Sequence, residues 1–458
     1  MQKRLLVVLG IIVIYRFLSH VPVPLAEPDQ LREVINSIVA SNTFGGFLNL
    51  LSGGALAAVS IMLVGLGPYI TASIVMQLLT KAIPRLVELH KDGETGRRRI
   101  NQWTRLLTLP LAIIQSIAFI FILRQTQLAA NSSIDITANA DPVQWIVMVG
   151  SLTAGAMLLM WLGELITEQG VGNGMSLLIF AGIISQLPQT LQLIISSLTQ
   201  DVSDAEKLNI LGYVLPVNGF LFWLILAVML VSLLVLFIMV KINEAQRIVT
   251  INYAKRVQGN RAYGGVQSIL PVKLITAGVI PVIFAVAFLA LPAFIGQVLK
   301  LSSDQYWQGI GQNLIDWFQT PQLNGVIFGS WEALIYPVVY FVLVIFFTYF
   351  YTNIVFNSSE IAENLQKQGG FIAGVRPGQQ TENHLKRLVN RLTLFGAFTL
   401  GIIAILPFAT EFVFANFGVS AQNIAIGGTG LIIVVSVTLE TLRQINSRAL
   451  MVTYDQDY

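Results

Sequence analysis

The chain has 458 residues, of which 55% are hydrophobic and 11% charged, with a mean hydropathy of +0.71; soluble domains carry about 25% charged residues, so lipid is the solvent here. The formal net charge of +3 does not mark a nucleic-acid binder, and the placement of the basic residues carries more information than their sum. Cysteine is absent and the three histidines, His20, His90 and His384, lie far apart, which excludes disulfides, thiolate chemistry and a histidine metal centre.

The chain opens with Lys3 and Arg4 ahead of an apolar run, a pattern shared with secretory signal peptides. No small-residue cleavage site follows Leu18, and the chain continues through Ser19, His20, Val21 and Pro22, so a retained first span with its N-terminus inside is expected. From Val34 to Thr80 there is no charged residue, although one crossing uses only about 20 residues. The surplus, Phe44 to Val59, is too short to span and too rich in glycine for a good isolated helix. Broken apolar backbone at membrane depth survives where protein buries it or where it lines a cavity. One reading is a short piece held in an outer cavity; the other is an interfacial hairpin on the outer surface.

Apolar runs able to form the core of a membrane helix recur down the chain. There are ten: Leu5 to Leu18, Ser60 to Thr80, Leu106 to Leu123, Pro142 to Gly163, Met175 to Ser196, Gly219 to Val240, Leu274 to Val298, Ala333 to Phe356, Leu392 to Pro407 and Ile424 to Leu439. Helix is the expected state, because an open sheet edge in lipid leaves backbone groups unsatisfied and the runs lack the alternation of a barrel. Assigning alternate loops to opposite sides sorts the basic residues. One side receives Lys3 and Arg4; Lys81, Arg85, Lys91, Arg97, Arg98, Arg99 and Arg105; Lys241, Arg247, Lys255, Arg256, Arg261 and Lys273; Lys367, Arg376, Lys386, Arg387 and Arg391; Arg443 and Arg448. The other receives Arg32, Arg124, Lys207 and Lys300. Cytoplasmic loops collect Lys and Arg, so the rich side is the cytoplasm and both termini lie there. Arg16, near the outer end of the first span, is placed to snorkel.

Several motifs stand in order on this topology: SGGAL (Ser52 to Leu56), PYITASI (Pro68 to Ile74) with Gln77, GETGRRRINQWTR (Gly93 to Arg105), WLGELITEQGVGNGMS (Trp161 to Ser176), NYAKR (Asn252 to Arg256), AGVIP (Ala277 to Pro281), the segment Asn357 to Thr381 and GGTGLIIVV (Gly427 to Val435). Together they resemble SecY, the channel subunit of the Sec protein translocase, over nearly the whole chain. The resemblance implies an all-α polytopic membrane fold, ten helices in two inverted five-helix halves around an hourglass pore. Residues 1–200 would form the first half and 201–458 the second, hinged around Gln200 to Asn209.

By the same resemblance, a constriction of aliphatic side chains is expected from Leu66, Ile70, Met175, Ile179, Ile283 and Ile433, and a plug from Phe44 to Val59 centred on Ser52, Gly53, Gly54, Ala55 and Leu56. A lateral gate is expected between the second and seventh spans, with Gln77 and Gln115 as polar gate residues and Ile275 where the family has asparagine. The cytoplasmic loops 241–273 and 357–391 resemble a docking surface for the ribosome and the SecA motor ATPase, through Lys255, Arg256, Arg261 and Arg376. The expected partners are further the small membrane subunits SecE and SecG, secretory preproteins and the lipid bilayer, in the cytoplasmic membrane of a bacterium. No cofactor or metal is expected. The chain is shorter at both ends than the family pattern, so the basic tail residues that commonly help motor binding are not assigned.

Taken alone, each aliphatic position is better explained by plain helix packing or by a lipid-facing side chain, and the loop arginines are compatible with the positive-inside rule. An ion-coupled transporter is the alternative function, since such proteins also use inverted repeats and broken helices. It generally needs an ionisable group near the midplane, whereas the middles of these spans hold no Asp, Glu, Lys, Arg or His. An enzyme is not expected, because no span carries a paired carboxylate or a Ser-His constellation.

Overall fold

The structure, a computed structural model, describes residues 2–23, 60–129, 141–199, 207–210, 213–253, 256–258, 261–263, 267–278, 280–300, 302, 304–318, 334–416 and 428–456. In chain order the helices are α1 (Gln2–Leu18), α2 (Gly67–Ala82), α3 (Pro84–Lys91), α4 (Glu94–Ala129), α5 (Pro142–Gln169), α6 (Gly174–Thr199), α7 (Gly219–Glu244), α8 (Ile280–Lys300), α9 (Gln305–Phe318), α10 (Ile335–Val355), α11 (Ser358–Lys367), α12 (Gln379–Asn416) and α13 (Gly428–Gln456). The strands are β1 (Lys207–Ile210), β2 (Tyr213–Asn218), β3 (Gln246–Tyr253), β4 (Arg256–Gln258), β5 (Arg261–Tyr263), β6 (Gln267–Lys273) and β7 (Gly370–Ile372).

Each of the ten apolar runs falls on a helix, giving an all-α polytopic membrane protein. Six of these helices, α4, α5, α7, α8, α10 and α12, are long and apolar enough on their own to cross a bilayer. The other four runs fall on α1, α2, α6 and α13. Large side chains such as Leu6, Phe17, Ile146, Leu234 and Phe237 point outward because hydrocarbon, not water, faces them. Two inner clusters organise the bundle. The larger joins α1, α2, α5, α6, α7, α8, α10, α12 and α13, and the smaller joins α4 and α5 with residues 23, 63 and 64.

Three helices run past the membrane, where loops are expected from sequence. α4 begins at Glu94, so Gly93 to Arg105 is almost wholly helical, steadied by an Arg98 to Glu94 pair at 2.8 Å one turn apart. α12 begins at Gln379 and buries Leu385 and Val389 against Val249, Val272 and Ile372 of a three-stranded antiparallel sheet of order β6-β3-β7. α13 continues to Gln456. Such an extension has no hydropathy signal; its inward face is visible only once the sheet is present.

The second span departs from expectation at its start. Residues 60–66 form a bridge and turns, and helix begins only at Gly67. This segment is tied down by the Ile61 amide donating to the Val21 carbonyl at 3.0 Å and by the Met62 amide donating to Ser60 Oγ at 2.9 Å. It lies directly on the α5 backbone, because a Cβ at Gly155 would run into the Ile61 carbonyl. The seventh span is likewise late. Residues 274–278 continue from β6 as bend and turn, with the Leu274 amide donating to the Ala245 carbonyl at 2.9 Å and Gly278 at φ +64°, so helix is not reached until Ile280.

The Gly155 contact predicts that Gly155→Val lowers the thermal unfolding midpoint in detergent, by the 1 to 3 kcal/mol or so typical of overpacking. Gly150→Val, on the same helix with nothing within 4 Å of its added carbon, leaves the midpoint unchanged.

Candidate functional site

Four helices begin close to the sequence positions expected to form the constriction. Leu66 is the N-cap residue of α2 and Ile70 lies in that helix's first turn. Met175 and Ile179 lie in the first two turns of α6, Ile283 in the first turn of α8 and Ile433 in the second turn of α13. Five of the six are buried, from 2% exposure at Leu66 to 8% at Ile283, and Met175 packs against them from its edge. Five of the six therefore belong to one apolar cluster inside the bundle, and the partly buried Met175 packs against it.

Close backbone approaches fix these helix starts. A Cβ at Gly174 would strike the Gly163 carbonyl of α5, and one at Gly163 would lie 2.5 Å from Met175 Sδ. The Gly174 amide donates to Thr167 Oγ1 at 2.9 Å, and the Asn173 side chain accepts from the amides of Met175 and Ser176 at 3.1 and 3.4 Å, satisfying donors that a helix start leaves open. The WLGELITEQGVGNGMS motif is thus an α5–α6 corner that aims Met175 and Ile179 inward.

The seam between α2 and α8 carries the expected gate residues in unequal ways. α2 and α4 both pack against α8. Gln77 Nε2 donates to Ser73 Oγ at 3.1 Å within its own helix, while its Oε1 is buried with no partner among the described residues. Gln115 of α4 lies across from α2, its Oε1 3.4 Å from where Gly67 would carry a Cβ. Ile275 does not stand on α8 at all: it is buried in the preceding turn, beside Gly396 of α12.

The expected plug, Phe44 to Val59 with Ser52, Gly53, Gly54, Ala55 and Leu56, lies outside the described residues, as do residues 200–206 of the expected hinge. Lys255 also lies outside them; Arg256 and Arg261 sit on the β4–β5 hairpin, their side chains outside the description. Arg376 is exposed in the tight turn between β7 and α12, its carbonyl accepting from Thr381 Oγ1 at 2.9 Å, with Gly374 and Gly378 at positive φ on either side.

Two features at the Lys- and Arg-rich helix ends have no counterpart in the sequence. Arg105 Nε donates to Glu164 Oε1 at 2.7 Å, joining α4 to α5 where positive-inside sorting saw only a basic residue. Lys273, at the end of β6, is held below the usual lysine range by burial, with Arg443 adding repulsion and Glu440 partly offsetting both. Both arrangements depend on residues more than 50 positions apart, so spacing alone does not reveal them.

The model of the SecY family matches residues 60–442. The SecY protein translocase subunit of Corynebacterium glutamicum is 39% identical over 99% of this chain and 96% of its own length. Those of Streptomyces coelicolor and Mycobacterium tuberculosis are 38% and 37% identical over the same shares. Among solved structures, one described as a protein-conducting channel superposes with a TM-score of 0.57 at 19% identity, covering 95% of this chain and 91% of that one. Sec61 from the canine ribosome-channel complex gives a TM-score of 0.51, also at 19% identity, covering 95% of this chain and 91% of that one. At that identity the structural likeness is one of fold.

The unpartnered oxygen of Gln77 generates a prediction. Gln77→Leu removes a buried acceptor whose desolvation costs about 1 to 3 kcal/mol when unmet, so the idle protein becomes more heat-stable in detergent. A lower midpoint means that the amide has a partner across the seam.

Proposed function

This chain belongs to the SecY family, and from that membership we propose how its residues let an unfolded polypeptide cross the bilayer and release apolar segments sideways into lipid. It is the channel-forming subunit of a protein translocase and a multi-pass membrane protein. The single observation that supports the residue-level reading is that Leu66, Ile70, Ile179, Ile283 and Ile433 are buried in one apolar cluster, with Met175 packed against it. Counted along the chain, they come from the second, fifth, seventh and tenth spans. With residues 1–200 and 201–458 as inverted halves, these are the same two positions in each half.

An aliphatic neck does two things at once. Idle, it disfavours a continuous column of water, so ions meet a dewetted barrier. In transit, unbranched and branched aliphatic side chains change rotamer to fit around a passing chain without offering it a polar partner. Ser52 to Leu56 plug the outer funnel. Little apolar area is lost when such small residues leave, so the plug is easily displaced. Signal sequences reach lipid between α2 and α8, where the polar groups of Gln77 and Gln115 weaken an otherwise apolar seam.

On the cytoplasmic face the β3–β6 hairpin and the Arg376 turn form the docking surface for SecA and the ribosome. Lys255, Arg256 and Arg261 are suited to phosphate through charge alone. The work of transport comes from those partners, since the spans carry no hydrolytic constellation. SecE and SecG cover apolar surface such as that of α7, whose outward side chains include Trp223, Leu230 and Phe237. The site of action is the bacterial cytoplasmic membrane with both termini inside, the arrangement that puts the Lys- and Arg-rich loops in the cytoplasm. The relatives named above are translocase subunits, which leaves the ion-coupled transporter reading without support.

The absence of native cysteine makes a direct test available. Cysteine is placed singly by Ile70→Cys and Ile283→Cys, and a secretory polypeptide carrying its own cysteine is stalled in transit. Both sites are expected to form disulfide adducts with it. If both react with a small thiol reagent and neither forms an adduct, the neck is elsewhere.

A further inference from the structure

Two arginines of α13 each seat on the carbonyl end of another helix, one helix from each half. Arg443 donates through Nη2 to the Asn243 carbonyl at 2.8 Å, in the last turn of α7. Asn243 returns the link, its Nδ2 donating to Ser436 Oγ of α13 at 3.2 Å in a buried contact. Arg448 donates through Nη1 to the carbonyl of Gln169, the last residue of α5, at 3.4 Å. Gly170 beside it stands at φ +69°, and a Cβ there would run into the Arg448 guanidinium. Two turns earlier on α13, Thr441 Oγ1 lies 3.1 Å from where Gly172 would carry a Cβ. Terminal carbonyls lack intrahelical partners and carry the negative end of the helix dipole, so a guanidinium is a favourable cap.

The location matters as much as the bonds. Covalently, α6 passes to α7 through residues 200–218, whose β1–β2 hairpin packs on both helices. α6 leads from the α5 corner to that link and α7 leads from the link to Asn243, each crossing the bilayer once. The arginine contacts therefore lie at the opposite membrane face from the covalent connection, and α13 packs directly on α6 between them.

We propose that Arg448 is a positioning residue that clasps the two halves together at this face, on an α13 that Arg443 fixes to α7 within the second half, so that with the covalent connection between α6 and α7 it defines a hinge axis running through the bilayer. The inference rests on the two-half channel reading above. Its consequence is that Ile179 of α6 and Ile433 of α13 stay together during opening, while Leu66 and Ile70 move apart from Ile283 at the α2–α8 seam.

The test uses the chain reconstituted with its partner subunits in vesicles, normalised per inserted channel. Gly172→Cys combined with Thr441→Cys places two thiols close enough to bridge. Oxidation of this pair is expected to leave motor-driven transport of a secretory preprotein at about the unoxidised rate, because an axis does not move. Arg448→Ala is expected to raise idle ion conductance per channel by roughly tenfold, the factor lost with one hydrogen bond to a charged group, and oxidation of the same cysteine pair in that variant returns it to the starting level. Simple loss of stability lowers protein recovery and leaves the conductance of the inserted channels alone. The clasp is overturned if oxidation stops transport, which makes this interface a moving one, or if Arg448→Ala keeps the original idle conductance. Failure of the unmodified protein to transport in the same vesicles counts against the channel reading itself.

Discussion

Hydrocarbon offers no hydrogen bonds, and that constraint shapes every part of this molecule. The backbone is committed to helix wherever lipid surrounds it. Charged side chains gather at the membrane faces, and what remains in the middle is aliphatic. A channel built under this rule cannot line its narrowest point with a polar filter at no cost. It closes instead with the same side chains that pack its core, and Leu66, Ile70, Ile179, Ile283 and Ile433 belong to the cluster that holds the helices together. In the proposed function the neck is thus a part of that core, and with two inverted halves sharing it, their relative position would set whether it is sealed.

That view gives the polar contacts at the Lys- and Arg-rich helix ends a common role. Arg105 with Glu164 joins α4 to α5, and Arg443 and Arg448 join α13 to α7 and α5. Each lies where water screens the charges in part, so none is a strong bond taken singly. Their effect is geometric: they hold the ends of helices whose other ends meet in apolar packing. The β3–β6 hairpin is built into the same arrangement. β6 ends at Lys273, the Leu274 amide holds the Ala245 carbonyl at the end of α7, and the chain then turns through Gly278 into α8. A force applied to that hairpin reaches α8 through a few residues of turn.

Much of the fold is legible in the sequence because lipid imposes a single, strong pattern. Ten apolar runs and a one-sided distribution of Lys and Arg suffice to place ten helices, and each run falls on one. The helix starts are less legible. Residues 60–66 and 274–278 are as apolar as the helices they precede, yet backbone contacts with Val21 and Ala245 hold them as turns. The extensions of α4, α12 and α13 beyond the apolar runs are equally hidden, since their hydropathy is that of a loop, and the buried face of the α12 extension answers to a sheet formed by distant strands. The candidate site divides along the same line. Five of the six aliphatic positions that motif resemblance marks are buried in the bundle-wide apolar cluster, with Met175 packed against it. Ile275 was placed on the gate helix by its motif, and the turn before α8 carries it away to Gly396. Arg443 and Arg448 look like ordinary topology signals until the carbonyls of Asn243 and Gln169 are seen in front of them.

The claim beneath all of this is that an apolar neck shared by the two halves is the seal. Single-channel recording of the reconstituted, idle complex tests it most directly, by comparing the natural chain with one carrying Ile179→Asn and Ile433→Asn. The account predicts a silent natural channel and a persistent ion current in the substituted one, with equal amounts of folded protein inserted. An equally silent substituted channel, folded and inserted to the same extent, would contradict it.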